Sequence, residues 1–151
     1  MLLFTIFLNF VCHQSTIAQI NMSDHFESEF LTLWIEDGIL YGRYTKNLDM
    51  TLEIAKVCVE SRIYFAKGRS YPVIVDMKGI SSSTRDAREY MATIGSTLVS
   101  AAALITGSAI NRALGNVFLK IDKPPIPTKL FSNDKKAKAW IMQFVKEPLT
   151  A

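Results

Sequence analysis

The stretch Tyr71–Met91, YPVIVDMKGISSSTRDAREYM, decides the fold. It opens with a β-branched run, Val73-Ile74-Val75, that ends at Asp76 and is followed by Lys78-Gly79. Such side chains fit a pleated, half-buried surface, so Tyr71–Asp76 is expected to be a strand with a turn after it. Three serines follow, and from Thr84 onward Ala87, Tyr90, Met91 and Ile94 recur at i, i+3, i+4 and i+7. That spacing lines up one apolar stripe on a helix. The serines are read as the opening of that helix. Ser83-x-x-Asp86 fits a capping box, in which each side chain accepts a backbone N–H left free by the first turn.

On the N-terminal side, LTLWIE (Leu31–Glu36) and ILYGRY (Ile39–Tyr44) both alternate apolar and polar residues around Asp37-Gly38. A two-residue turn of this type needs positive φ at both positions, so the runs form an antiparallel hairpin at one side of a sheet. Trp34 and Tyr41 are read as packing residues on it. Asn47–Met50 is a connector, with Asp49 or Thr51 as N-cap of a helix over Thr51–Lys67. In that helix Glu53, Lys56, Glu60 and Lys67 share one side opposite a broad apolar arc, and Gly68 supplies the stop. Arg62 lies within the apolar arc and is read as a snorkelling side chain at the helix edge.

On the C-terminal side, LVSAAALI (Leu98–Ile105) is nearly all apolar, as suits a central strand covered on both faces. Thr106-Gly107-Ser108 closes it, and a helix then carries Ile110, Ala113, Leu114, Val117 and Phe118 on one face. Asp122–Pro127 (DKPPIP) is a loop, because its prolines permit neither helix nor ladder. Thr128–Phe131 is a short last strand. Ser132-Asn133-Asp134 caps a final helix that turns Ala137, Trp140, Ile141 and Phe144 inward. The order β-β-α-β-α-β-α-β-α implies an α/β fold: a mixed sheet of about five strands with about four helices.

Half of the 151 residues are hydrophobic (49%) and 21% are charged, the balance of one globular domain. The 17 Lys and Arg are scattered from Arg43 to Lys146, so no basic stripe marks a nucleic-acid footprint. Residues 1–22 contain no charged side chain, and the apolar run Leu2–Cys12 is too short to span a bilayer. Three readings compete for this leader: an over-extended start before Met22, a signal peptide without a basic n-region, or a structural segment. The first is preferred, which makes residues 23–151 the domain, with no stable membrane insertion. A signal peptide would make the protein exported. Cys12 and Cys58 make no metal or redox spacing, and Cys58 is read as a buried hydrophobe in a reducing, cytoplasmic compartment.

Catalytic constellations are missing from the pattern. The two histidines, His13 and His25, both precede the expected first strand, which leaves no rigid general base. No metal-ligand spacing, no Gly-rich phosphate loop and no dinucleotide fingerprint occur, so neither cofactor nor metal is expected and the chain reads as a non-enzyme. One positive feature remains. In a parallel βα layout the carboxyl ends of strands gather on one edge, where the following helices begin. That edge would join Asp76, Ser81, Ser82, Ser83 and Thr84 to Thr106, Gly107 and Ser108. Arg85, Arg88, Asn111 and Arg112 flank it. Hydroxyls around two helix starts favour an anion, either a phosphate ligand or a phosphorylated serine paired with Arg85 and Arg88.

A hairpin, a helix, a strand ending in VIVDMKGI and a helix opened by hydroxyl residues resemble the anti-sigma-factor antagonist (STAS-like) domains. The stretch AINRALGNVFLKIDKPPIPTKLFSNDKKAKAWI is also similar to small bacterial STAS-like proteins, with a proline loop before a short strand and a Trp in the last helix. The resemblance covers Glu29–Phe144. It implies a regulatory, protein-binding domain whose partner is an anti-sigma-type kinase or a like domain, homodimer included. It also implies a switch serine at the helix start. The family's acidic-Ser-Ser-Gly signature is absent, however: Ile80 precedes the serines, Thr84-Arg85 follows them, and the switch position would fall near Thr84 or Arg85. The alternative is a lipid, nucleotide or anion carrier, with the Leu98–Ile105 strand and its Gly-Ser end lining a pocket.

Overall fold

The computed structural model describes residues 24–146. The expectations for the leader, Cys12 and His13 lie outside the described residues. The chain forms β1 (His25–Glu27), β2 (Leu31–Glu36), β3 (Ile39–Tyr44), β4 (Leu48–Met50) and α1 (Leu52–Ala66). These are followed by β5 (Tyr71–Asp76), β6 (Ile80–Ser83), α2 (Arg85–Ala92), β7 (Val99–Ile105) and α3 (Ala109–Val117). A wide turn over Phe118–Asp122, β8 (Thr128–Phe131) and α4 (Asp134–Ile141) complete it.

The main sheet has six strands in the order β1-β2-β3-β5-β7-β8. The first three are antiparallel, and β3, β5, β7 and β8 run parallel. The mixed α/β sheet expected from the sequence is therefore present, one strand larger because β1 adds to the hairpin. His25 lies in β1, opposite Trp34, and so does not precede the first strand. The hairpin turn has the φ values that Asp-Gly was expected to supply, 52° at Asp37 and 75° at Gly38.

Two layers of core follow from strand alternation. Leu33, Leu40, Val73, Ala102 and Leu104 point to one face, where α1 contributes Ala55, Cys58 and Ala66 and α2 contributes Ala87. Ile39, Ile74, Ala101, Ala103 and Ile105 point to the other, against Ala137 and Ile141 of α4. The central strand is covered on both sides, as its apolar run demanded. α1 takes Thr51 as its cap, whose side chain accepts from the Ile54 N–H, and ends with Lys67 at φ 50° before Gly68.

Two local readings are corrected. Asn47–Met50 is no plain connector, and the serines do not open a helix. Leu48–Met50 and Ile80–Ser83 pair in parallel as a separate two-stranded sheet. The ladder satisfies backbone groups that a polar serine run cannot hide by its own pattern. α2 therefore starts one residue later than the capping box required. Thr84 is its N-cap, accepting from the Ala87 N–H at 3.3 Å. A Cβ on Gly79, in the turn between β5 and β6, would collide with the carbonyls of Tyr44 and Thr45, so glycine is needed there.

The inward face of α3 is also rotated from expectation. Asn111 and Gly115 are buried and Leu114 is half-buried, whereas Ile110 is 65% exposed and Ala113 faces solvent. Gly115 lets the helix approach β8 closely, since a Cβ there would sit 2.8 Å from Leu130 Cδ2. The face predicted from apolar periodicity gave way to that close approach. The final helix is as read: Asn133 caps it by accepting from the Lys136 N–H, and Trp140 packs between Phe131 and Phe144.

Candidate functional site

The expected edge exists as a place, because β5 and β7 are parallel neighbours with Asp76 opposite Ile105. Chain reversal after β5 is fixed by Asp76, whose Oδ1 accepts from the Lys78 N–H at 3.0 Å. Its Oδ2 lies 3.5 Å from Lys78 Nζ and 3.7 Å from Arg43 Nε. Beside it Thr106 is buried, and its N–H donates to the Phe131 carbonyl.

Asn111 welds the two halves of the edge together. Its Nδ2 donates to the Ile80 carbonyl at 2.7 Å, and its Oδ1 accepts from the Gly107 N–H at 3.3 Å. Ser108 caps α3 by accepting from the Asn111 N–H at 3.1 Å. Asn111 does more than flank the edge. It is a buried strut between β6 and α3, and a buried carboxamide with donor and acceptor both matched is a specific arrangement.

Most of the remaining candidates are engaged in contacts of their own. Ser82 Oγ donates to Asp49 Oδ1 at 2.6 Å, across the small sheet. Ser83 Oγ reaches the Thr84 carbonyl at 3.4 Å, and Ser81 is exposed. Arg85 pairs with Glu89 one turn on, at 2.8 Å. Arg88 is tied down: Nε meets Asp122 Oδ2 at 3.1 Å and Nη1 donates to the Ser83 carbonyl at 2.9 Å, with the Asp122 side chain only 3% exposed. It joins α2 to the turn after α3 and is not a free partner for an anion. Arg112 is exposed, with a long 3.5 Å contact to the Gly107 carbonyl. At the start of α2 the Ala87 N–H is shared by Thr84 Oγ1 and Asp86 Oδ1. The Thr84 hydroxyl and the Ala87 N–H hold the Asp86 carboxyl below the usual carboxylate range. That ionised Asp86 opposes any further anion at this helix start.

A second region lies behind the edge. Between the sheet and helices α1, α2 and α3 there is an apolar cavity of about 130 Å³. Val99, Ala102 and Leu104 of β7 line it, as the apolar strand suggested, but Gly107 and Ser108 do not. Ligand pockets for drug-sized molecules begin at roughly 300 Å³, so this volume holds neither a nucleotide nor a full acyl chain.

Arg62 is part of the cavity wall and only 9% exposed, which corrects the snorkelling reading. Four positions from the end of a fifteen-residue helix and facing inward, it keeps little of its surface in contact with solvent. Its Nη2 donates to the carbonyls of Gly95 at 3.1 Å and Thr97 at 2.7 Å, while Nη1 is buried without a partner. Burial pulls this guanidinium below its ordinary pKa, and the nearby Tyr44 acts in the opposite sense. Burial pushes the Cys58 thiol up to about 12, so it is an inert neutral group. The sequence did carry a signal for Arg62, a single charge inside an apolar arc.

Among the described residues no group of three or more His, Cys, Asp or Glu is placed to hold a metal, and no helix is long and apolar enough to cross a membrane.

A crystal structure of an uncharacterized protein from the DUF3478 family with a SpoIIAA-like fold, from Shewanella loihica PV-4, superposes with a TM-score of 0.50. The two are 14% identical over 74% of this chain and 91% of that one. At this identity the likeness speaks to fold alone, and it agrees with the STAS-like architecture read from the sequence. No curated protein matches. Residues 33–145, which contain the edge and every cavity-lining residue except Leu31, match the family described as "Domain of unknown function (DUF7793)", and the chain belongs to that family.

Proposed function

We propose that this protein is a non-enzymatic regulatory domain of the cytoplasm that binds a protein partner through the edge formed by Asp76–Arg88 and Thr106–Arg112. The observation that carries this reading is the Asn111 strut, which makes one rigid surface of two distant segments. A surface held in place before binding loses little conformational freedom on association. Exposed on it are Ser81, Ser82, Arg85, Ile110 and Arg112, a mixture of hydroxyl, cation and apolar side chain suited to a protein rather than to nucleic acid. The partner is a regulatory kinase-type protein or a domain like this one.

A residual serine switch is part of the reading. Phosphate on Ser82 would set a dianion against Asp49, 2.6 Å away, and push β4 from β6. Photo-cross-linkers placed at Ser81 and at Ile110, with Lys135 on α4 as control, test the docking surface in the native host. A discrete adduct at the first two positions alone is expected. Adducts equal at all three, or none, would sink it. The switch has its own test in phosphopeptide mapping of Ser81–Thr84 and in Ser82→Asp. An unmodified segment, together with unchanged cross-linking by the Asp variant, removes the switch and leaves the docking surface standing.

A further inference from the structure

The α3 segment carries an apolar row that the core does not use. Ile110, Ala113 and Val117 recur at i, i+3 and i+7, a spacing that keeps them on one side of a helix. The core takes the adjacent side instead, because Asn111 reaches the Ile80 carbonyl and Gly115 passes close to Leu130. Ala113 is therefore exposed, Val117 only half-buried and Ile110 65% exposed. Ile121, four residues on in the wide turn, is 70% exposed. Ile110 and Ile121 are the two most exposed large apolar side chains among the described residues, and they lie at opposite ends of this one segment. Single exposed apolar residues are ordinary, whereas a row of them marks a contact surface.

Positive charge runs beside the row. Arg112, Asn116 and Lys120, all exposed, follow one another at i, i+4 and i+8. Neither cation has an ion pair among the described residues, and Arg112 has only its long contact with the Gly107 carbonyl. The one acid of segment 109–123, Asp122, does not neutralise them, since its side chain is 3% exposed and Arg88 holds it.

We infer that the partner at the proposed docking surface contributes an amphipathic helix with an acidic flank, laid along α3 from Ile110 to Ile121. The inference rests on the docking reading and extends that surface beyond Arg112. At 1.5 Å per residue the row is roughly 16 Å long, the reach of about three helical turns. A helix that offers apolar side chains at i, i+3 or i+4 and i+7 matches such a row. Carboxylates on its flank form charge-assisted bonds with Arg112 and Lys120. A second copy of this chain paired through α3 would instead set these cations against their own kind. The neighbouring α2, joined to the segment through Arg88 and Asp122, exposes Asp86 and Glu89. Acids beside the row suit a narrow partner better than a broad anionic bilayer.

A photo-cross-linker at Ile121 of the full chain in its native host, beside the one at Ile110, tests this once the cross-linked peptides are mapped. The same adduct from both positions is expected, joined to a segment with that apolar spacing and with Asp or Glu on one flank. Calorimetric titration of the mapped segment, as a synthetic peptide, into the purified chain should show one-to-one binding. Arg112→Glu combined with Lys120→Glu should weaken it about ten-fold or more. Ile121→Asp, at the most exposed position of the row, is a second variant with the same expected loss. An adduct at Ile110 with none at Ile121 overturns the inference and leaves the docking surface standing, whereas no adduct at either position removes both. A cross-linked segment without the pattern, no peptide binding, or affinity untouched by these variants also overturns it. So does an adduct with a second copy of this chain, or flotation of the purified chain on phosphatidylserine vesicles that the charge reversal abolishes.

Discussion

The two faces of the central sheet solve the same burial problem in opposite ways. On the α4 face, Ala101, Ala103 and Ala137 are fully buried beside Ile39 and Ile141. Small side chains let one helix settle directly onto the strands. On the other face, α1, α2, α3 and the small β4–β6 sheet share the covering, and they leave a cavity with Arg62 in its wall. The edge carrying Ser81 and Ser82 belongs to this second, looser face, since Ile80 and Ser83 of β6 line the same cavity. A single helix closes one face, whereas several elements share the other and leave space between them.

The largest effect is expected on the closed face. Ile141→Ala removes a side chain with no solvent exposure from a layer that cannot collapse around the gap, and a loss of about 2–5 kcal/mol is expected. Urea denaturation at unchanged m-value measures it. Next comes the strut: Asn111→Ala leaves the buried Ile80 carbonyl without its donor, which costs about 1–3 kcal/mol. Asn111→Asp should rescue nothing, because a carboxylate cannot donate to that carbonyl. Rescue by Asp would show that the edge is held by something else.

Neighbours in β7 give the sharpest test of the contrast. Ala102 points to the cavity and Ala103 to α4. Ala103→Val should overpack its layer and cost about 1–3 kcal/mol. Ala102→Val extends into free space and should stay within about 0.5 kcal/mol of the parent. Equal costs for the pair would mean that both faces are equally filled and would erase the distinction between them.

What was legible in the sequence follows the same division. The hairpin, α1, β5, β7 and α4 were readable, because Asp37-Gly38 forces positive φ and the apolar periods are long. The closed face needed only those signals. The looser face depended on pairing between short polar segments. Leu48–Met50 alternates over only three residues and Ile80–Ser83 is a serine run with one apolar residue, so it is their ladder that marks them as strands. For that reason the local pattern points to Ser83 as the cap where Thr84 serves. In α3 a reading by hydrophobicity put Ile110 inward, while the structure buries Asn111 and Gly115, because a hydrogen bond to Ile80 and contact with Leu130 outweigh the apolar face. Arg62 was visible as an oddity, but its partners lie 33 and 35 residues away, beyond any local pattern.

The smallest effect at neutral pH grows in alkali and again separates the faces. Cys58 and Tyr44, both buried and both in the cavity wall, have pKa values raised by burial, whereas the α4 layer has at its centre only aliphatic side chains. For Cys58 the folded value is about 12 against an ordinary 9.0. Above pH 9 the unfolded chain therefore releases this proton and the folded chain keeps it, so stability present below pH 9 is lost as pH rises toward 12. The slope approaches about 1.4 kcal/mol per pH unit for one such proton. Tyr44 adds the same trend only above its ordinary 10.0, so the window from pH 9 to 10 isolates the thiol. Cys58→Ala should flatten the fall in urea midpoint across that window while leaving the slope below pH 8 unchanged. An equal decline in parent and variant would mean that the thiol is already solvated, and that the cavity face opens to water at the wall where Arg62 sits.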